Sequence, residues 1–182
     1  MKEFKTNRKE SAKSRMLRFI FNHFPAYRRS TGRVSFISGD WMEIHVRIKR
    51  SYKNRNYNGT VFGGSIYASI DPIYMLQMIQ IFGKPYVVWD KEAVIKFKRP
   101  IKRKAIARFI FTEEDIIRIR KTVDGEGEYS FNMPIEFVDN TGFVYAEIDK
   151  MLYIATKEFY KKKIEKKKLD LQQSMDSNNS NK

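Results

Sequence analysis

Residues 63–82, GGSIYASIDPIYMLQMIQIF, form the most apolar segment of the chain and decide how it folds. The run is too long for one ordinary strand, and its isoleucines recur at intervals that fit a helix. It also contains Asp71 and Pro72, and a membrane span does not normally hold an uncompensated carboxylate beside a proline. We therefore predict one long central helix over residues 65–82, buried within the protein.

Strand patterns flank this helix on both sides. Residues 41–49 alternate strictly, with one apolar face and one polar face that carries Glu43, His45, Arg47 and Lys49. We expect a half-buried strand there, with His45 at the surface. Further strands are predicted at residues 86–98, 104–111, 128–138 and 143–154, and the DNTG sequence at residues 139–142 is a strong hairpin signal.

The remaining segments predict helices. Residues 11–27 form a basic amphipathic pattern that Pro25 ends. Residues 113–121 have acids at the start and bases at the end, as the helix dipole favours, and residues 124–127, DGEG, should return the chain to the sheet. Lysine clusters over residues 157–171 predict a polar helix, and the low-complexity residues 172–182 are expected to be disordered.

Together these elements predict an α+β fold in which a mostly antiparallel sheet of five to six strands wraps around one long central helix, with an added N-terminal helix. The length of 182 residues and the 42% hydrophobic content fit one compact domain. We divide the chain into a basic N-terminal helical segment (1–31), a sheet-and-helix domain (32–156), and a lysine-rich C-terminal helix and tail (157–182).

Charge and residue usage argue against several classes of function. The net charge of +15 is concentrated in the two terminal segments, and no aromatic-interleaved RNA motif is present, so no nucleic-acid partner is expected. With no cysteine and only two histidines, the chain has little material for a thiol nucleophile, a Ser-His-Asp site or a metal site. The N-terminus does not resemble a secretory signal, so we expect a cytoplasmic protein without a transmembrane segment.

Asp71 is the only formally charged side chain between Gly63 and Gly83. A carboxylate in such an apolar segment must be paired, hydrogen-bonded, protonated or directed into a pocket, because burying it alone is costly. Two interpretations follow: Asp71 caps a helix that Pro72 breaks, or it takes part in chemistry.

Gly63 and Gly64 precede the helix and have two interpretations as well. They form a tight turn, or their backbone N–H groups stabilise a carbonyl oxygen that gains negative charge. At 1.5 Å per residue, the pair and Asp71 are about 12 Å apart along one helix, too far to act on one small group. Two chains related by a dyad would bring the glycines of one to the carboxylate of the other.

A family resemblance starts in this region. Residues 56–72, NYNGTVFGGSIYASIDP, resemble the signature of hotdog-fold acyl-CoA thioesterases, in which an Asn and a Gly precede a His-Gly-Gly turn and an acid follows on the central helix. The sequence YVVWDK at residues 86–91 and the basic strand ending at Arg99-Pro100 resemble the uncharacterised branch labelled tetrameric acyl-CoA thioesterase. The resemblance covers roughly residues 32–154 and implies a hotdog fold.

The resemblance also implies roles for individual residues. Asp71 matches the catalytic carboxylate, acting as general base on water or as nucleophile on the thioester carbonyl. Gly63 or Gly64 matches the oxyanion-binding backbone, and Asn56 matches a polar residue that orients the attack.

Two positions depart from the family pattern. Phe62 replaces the usual His of the turn and removes a polar side chain. Asp90 lies where many relatives have Ser or Thr, which adds a second carboxylate. If Asp71 and Asp90 share a site, one of them should have a raised pKa and could hold a proton.

The resemblance implies an acyl-CoA or acyl-carrier thioester as the ligand, and no cofactor beyond the coenzyme A of the substrate. Lys98, Arg99 and Lys102 belong to a basic cluster that would hold the phosphates of coenzyme A, although Lys98, like Lys96, also fits the solvated face of an alternating strand. Phe62 and Tyr67 are the other candidate substrate-binding side chains. We expect a homo-oligomer, either a dimer or a dimer of dimers.

Three functions from different classes remain open at this point. The first is hydrolysis of an acyl thioester to a carboxylate and coenzyme A. The second is an acyl-CoA-binding hotdog protein without turnover, which Phe62 favours. The third is a basic protein that binds nucleic acid or an anionic membrane through its lysine-rich termini.

Overall fold

The computed structural model describes residues 6–179, with side chains described as far as Gln173. Six strands form one antiparallel sheet in the order β1-β2-β4-β5-β6-β3. Their bounds are Gly32–Ile37 (β1), Glu43–Lys49 (β2), Tyr86–Phe97 (β3), Lys104–Ile110 (β4), Glu128–Val138 (β5) and Val144–Thr156 (β6). The predicted α+β fold with an antiparallel sheet is confirmed, and β1 and β3 are its two edges.

The central helix is present, but it is interrupted. Helices α3 (Gly63–Ala68) and α4 (Ile73–Phe82) replace the single predicted helix, and residues 69–72 separate them. Proline explains the break, because it has no N–H to donate and disfavours helical geometry in the residue before it. The interruption leaves Asp71 between two helices rather than within one.

Helix α4 packs its aromatic face into the sheet. The ring of Tyr74 makes edge-to-face contacts with Phe109 and Phe111, at centroid distances of 4.8 and 5.4 Å. The Nε2 atom of Gln77 donates to the backbone oxygen of Trp41 at 2.9 Å, so this buried amide ties the helix to the chain entering β2. The predicted burial is therefore confirmed for one face of α4 only, since Ile79 on the opposite side is 41% exposed.

Strand β2 departs from the predicted half-buried pattern. His45 is buried rather than at the surface, and it shares a 2.6 Å hydrogen bond with the buried Glu43. Glu43 also accepts hydrogen bonds from Thr6 and Arg108. Burial raises the pKa of Glu43, but these hydrogen bonds and those from His45 outweigh it and hold the pKa below its usual value. The prediction for His45 is wrong because its ring packs against Phe36 of β1 and its partner Glu43 is itself enclosed by Thr6 and Arg108.

The helices near both ends of the chain differ from the predicted ones in number and length. Helix α1 (Ala12–His23) begins at a capping box formed by Ser11 and Ser14, and Pro25 starts a second short helix, α2 (Pro25–Arg29). Helix α6 (Lys157–Asn179) continues through residues 172–179, where the sequence predicts disorder. Residues 180–182, to which the same prediction applied, lie outside the described residues. Within residues 6–179, no helix is both long and apolar enough to cross a membrane.

Helix α5 (Glu113–Glu126) is longer than predicted, since residues 124–126 form its last turn instead of a return to the sheet. Gly127 ends the helix with a φ of 84°, a backbone conformation that favours glycine. A Cβ atom at this position would lie 2.3 Å from Cδ2 of Phe159 on α6. Gly127 therefore allows both the reversal of the chain and the close approach of α6.

Gly127→Ala is expected to lower the free energy of unfolding by about 1–3 kcal/mol, because it combines a positive φ with overpacking against Phe159. Gly125→Ala is the matched control. Gly125 lies in α5 with open space around its Cα, so alanine there should stabilise by about 0.5–1 kcal/mol. Chemical denaturation of the two variants measures the contrast, and equal effects at both positions would contradict this account of Gly127.

Candidate functional site

Asp71 lies in the interruption between α3 and α4, and its side chain is 49% exposed. It borders a cavity of about 350 Å³, which is lined by Tyr67, Asp71, Pro72, Met75, Trp89, Asp90, Lys91 and Glu92. A second cavity of about 490 Å³ also reaches Asp71 and runs between Phe21, Phe24 and Leu76. The carboxylate therefore stands where a polar cavity meets an apolar one.

A buried lysine holds this region together. The side chain of Lys150, on β6, is 0% exposed. Its ammonium group donates to the backbone oxygen of Asp71, and its Nζ atom lies 3.5 Å from Oδ1 of Asp71 and 2.9 Å from Oδ2 of Asp90. Lys150 thus fixes the interruption in the central helix against β3 and β6.

Asp90 is the second carboxylate of the site. Its side chain, on β3, is 21% exposed, and its Oδ1 atom is buried without a hydrogen-bond partner among the described residues. Burial raises the pKa of Asp90, the hydrogen bond and charge of Lys150 lower it, and the charge of Asp71 raises it, with a net result above the usual value. The expected sharing of one site by two acids is therefore present in the geometry.

Tyr67, on α3, borders both cavities and faces the same charges. Burial, followed by the nearby carboxylates of Asp71 and Asp90, raises its pKa to about 12. Its ring also lies 5.7 Å from Nζ of Lys150, a cation–π distance. Tyr67 thus remains a neutral phenol at physiological pH.

Sequence reasoning did not identify Lys150, although the sequence contained a signal. Alternate residues of β6 face the interior, and Ala146, Ile148 and Leu152 are buried in that phase. Lys150 falls in the same phase, so alternation alone directs an ammonium group into the core. A charged residue in the buried phase of a strand requires a partner, and Asp71 and Asp90 are those partners.

The residues of the predicted turn occupy a different part of the chain. Asn56 closes a loop, since its Oδ1 atom accepts from the backbone N–H of Thr60 at 3.0 Å. Phe62 is 56% exposed. A Cβ atom on Gly64 would lie 2.4 Å from the ring of Phe62, and one on Gly63 would lie 3.1 Å from Cζ of Phe97. The glycines thus allow two aromatic rings to pack against the start of α3.

Within one chain, the glycine turn and the carboxylates are not brought together. Gly63 packs near Phe97 at the end of β3, whereas Asp90 lies seven residues earlier on the same strand. At about 3.3 Å per residue, Phe97 and Asp90 are roughly 20 Å apart. The roles assigned to Asn56, Phe62, Gly63 and Gly64 therefore stay predictions that require a second chain.

The predicted basic residues lie on the outside of the sheet and in the loop after β3. Lys98 forms an exposed ion pair with Glu147 at 3.0 Å, and the backbone oxygen of Lys102 accepts from Arg50. Arg99 is also exposed. Their proposed contact with a substrate stays a prediction.

Within residues 6–179, no group of three or more His, Asp or Glu side chains is arranged to hold a metal ion.

Solved structures with similar folds include several proteins described as thioesterases. A Pseudomonas aeruginosa protein of unknown function, described as a probable thioesterase, is 16% identical, with a TM-score of 0.69 over 81% of this chain and 98% of that one. A Haemophilus influenzae thioesterase is 13% identical, with a TM-score of 0.59 over 83% and 96% of the two chains. Mouse thioesterase superfamily member 2 is 15% identical, with a TM-score of 0.56 over 79% and 98%.

At identities this low, the similarity establishes the fold and nothing about activity. The fold is the hotdog fold that the sequence resemblance implied. No curated protein matches the sequence. The family model described as a domain of unknown function, DUF4442, matches residues 12–154. The matched region includes α1, the sheet as far as Ile154 and both halves of the central helix. The chain therefore belongs to the DUF4442 family and has a thioesterase-like hotdog fold.

Proposed function

We propose that this protein hydrolyses acyl thioesters of the acyl-CoA type, with Asp71 as the general base. The observation that carries the proposal is the half-exposed Asp71 carboxylate at the edge of a cavity, held in place by the buried Lys150. A base must be ionised, accessible and fixed in position, and Asp71 meets the last two conditions by geometry. The ammonium group of Lys150 lies 3.5 Å from Oδ1 of Asp71 and 2.9 Å from Oδ2 of Asp90, so it holds both acids in place.

The proposed reaction requires a polarised carbonyl and an activated water. Asp71 takes a proton from water while the water oxygen attacks the carbonyl carbon of the thioester. The carbon–sulfur bond then breaks, the thiolate of coenzyme A takes up the proton held by Asp71, and the acyl group leaves as a carboxylate whose remaining proton passes to solvent. No further cofactor takes part in this scheme, and coenzyme A enters as part of the substrate. The apolar cavity between Phe21, Phe24 and Leu76 fits an acyl chain next to Asp71.

The site becomes complete in a homodimer built on β3. This edge strand is twelve residues long and exposes apolar side chains, including Val94 at 51%. Antiparallel pairing of two β3 strands about a dyad near residues 93 and 94 would set Asp90 of one chain opposite Phe97 of the other. Because Gly63 packs near Phe97, the same pairing would bring the glycine turn of one chain to Asp71 of the other.

Val94→Lys is expected to convert the native dimer into a monomer of 21.7 kDa, because two lysines would meet at the dyad. Phe143→Lys, at an exposed position in the turn between β5 and β6, is the control and should leave the mass unchanged. Light scattering coupled to size-exclusion chromatography measures both. A native protein that is monomeric at micromolar concentration would contradict the shared site.

Thioester hydrolysis should be measured across short, medium, long and aryl acyl-CoAs, with thermal-shift binding of each ligand recorded beside it. Turnover of at least one class is the expected result. A second candidate is an acyl-CoA-binding protein without turnover. It is favoured by the exposed Phe62, which stands where the thioesterase signature has His. Stabilisation by acyl-CoA without hydrolysis would support this second candidate and contradict the first.

A further inference from the structure

Helix α1 has a broad apolar surface, and the protein covers only part of it. Leu17 and Phe21 point towards the sheet, where they line a cavity of about 180 Å³ with Val34 and Ile44. Ile20 and Phe24 border the same cavity from its solvent side, and together with Met16 and Phe19 they are between 53% and 64% exposed. We call these four side chains the outer face of α1.

The outer face is one continuous surface. Met16, Phe19 and Ile20 stand at positions i, i+3 and i+4, which places them side by side on a helix. Phe24 follows Ile20 by four residues, and both border the same small cavity. Four large apolar side chains on one exposed surface exceed the scattered single residues that are normal on a protein surface. A cluster of this kind is typical of a binding surface.

The charges around the outer face indicate what that partner is. Residues 12–29, which form α1, α2 and the turn between them, contain five Lys and Arg residues and no Asp or Glu. Arg18 is neutralised by an ion pair with Glu10 at 2.8 Å. Among the described residues, Lys13, Arg15 and Arg28 have no carboxylate partner. Apolar side chains bordered by unpaired cations match an anionic surface that also accepts hydrocarbon.

We propose that the outer face of α1 binds an anionic lipid bilayer, with α1 lying in the plane of the headgroups. Met16, Phe19 and Ile20 would enter the boundary between headgroups and acyl chains, and Lys13, Arg15 and Arg28 would contact lipid phosphates. A second copy of the chain is a poorer partner, because symmetric pairing would bring these cations together. The proposal is independent of hydrolysis at Asp71.

Co-flotation with vesicles tests the proposal. The native protein should bind vesicles of equal parts phosphatidylcholine and phosphatidylglycerol, and binding to phosphatidylcholine alone should be far weaker. The double variant Phe19→Ser/Ile20→Ser should lower the partition coefficient at least about tenfold. The control Ile117→Ser/Phe143→Ser removes two exposed apolar side chains elsewhere and should leave binding unchanged.

A second variant distinguishes weaker lipid binding from a folding defect. Arg15→Gln/Arg28→Gln changes only exposed side chains, and it should weaken binding to anionic vesicles and reduce its dependence on salt. Thermal unfolding should be the same in all variants. The proposal is overturned if the native protein does not bind anionic vesicles, or if the Phe19/Ile20 pair and the control pair behave alike. It is also overturned if the Phe19/Ile20 variant loses self-association instead of lipid binding.

Discussion

Asp71→Asn is expected to lower kcat/KM for acyl-CoA hydrolysis by about 10²–10⁴-fold while leaving ligand binding and the fold intact. Asparagine has the shape of aspartate but cannot accept a proton from water at neutral pH. The backbone oxygen of Asp71 and the carboxylate of Asp90 remain as partners of Lys150, so the ammonium group stays satisfied. Initial rates and thermal-shift binding of the same acyl-CoA separate loss of chemistry from loss of the site.

Asp170→Asn is the matched control for this variant, because it makes the same chemical change at an exposed position on α6. Its activity should equal that of the native protein. An Asp71→Asn protein that retains full turnover would remove Asp71 from the chemistry. A native protein that binds acyl-CoA without turnover would instead favour the binding function, and Asp71→Asn would then leave the thermal shift unchanged.

The sheet was predictable because strand signals are local. Strand β5 has the bounds that alternation and flanking glycines predict, and the turn after it contains Gly142 at a φ of 87°. The interruption of the central helix at Pro72 was also visible locally, and the sequence left it open as one interpretation of Asp71. The break is present and exposes the carboxylate, but no side chain caps α4, and the part of Asp71 in chemistry stays a prediction.

The features that the sequence did not predict have one physical cause in common, which is contact between distant parts of the chain. His45 lies on the polar face of an alternating strand, and it is buried where the ring of Phe36 packs against it and Thr6 binds the neighbouring Glu43. Likewise, Asp71 and Lys150 are 79 residues apart in sequence. No local pattern pairs them. The alternation of β6 does place Lys150 among the buried positions, which indicates that an acid lies nearby.

Lys150→Met is expected to lower the free energy of unfolding by about 3 kcal/mol, because it leaves the carboxylate of Asp90 largely buried without its cation. This value is the lower end of the range for breaking a buried ion pair, because the side chain of Asp90 is 21% exposed to solvent. Lys98→Met is the matched control. Lys98 and Glu147 are both well exposed, so losing their ion pair should change stability by less than about 1 kcal/mol.

The same variant has a characteristic dependence on pH. Burial already raises the pKa of Asp90 above its usual value of 3.8, and removing Lys150 should raise it further, because the lysine is the group that opposes the shift. A carboxyl group with a raised pKa in the folded state stabilises the fold below its unfolded pKa, and this contribution is lost as pH rises through the folded pKa. The deficit of Lys150→Met relative to the native protein should therefore be largest at neutral pH and shrink under acid conditions. Adding Asp90→Asn should restore most of the lost stability at neutral pH, and a deficit independent of both pH and Asp90 would show that Lys150 acts only through packing.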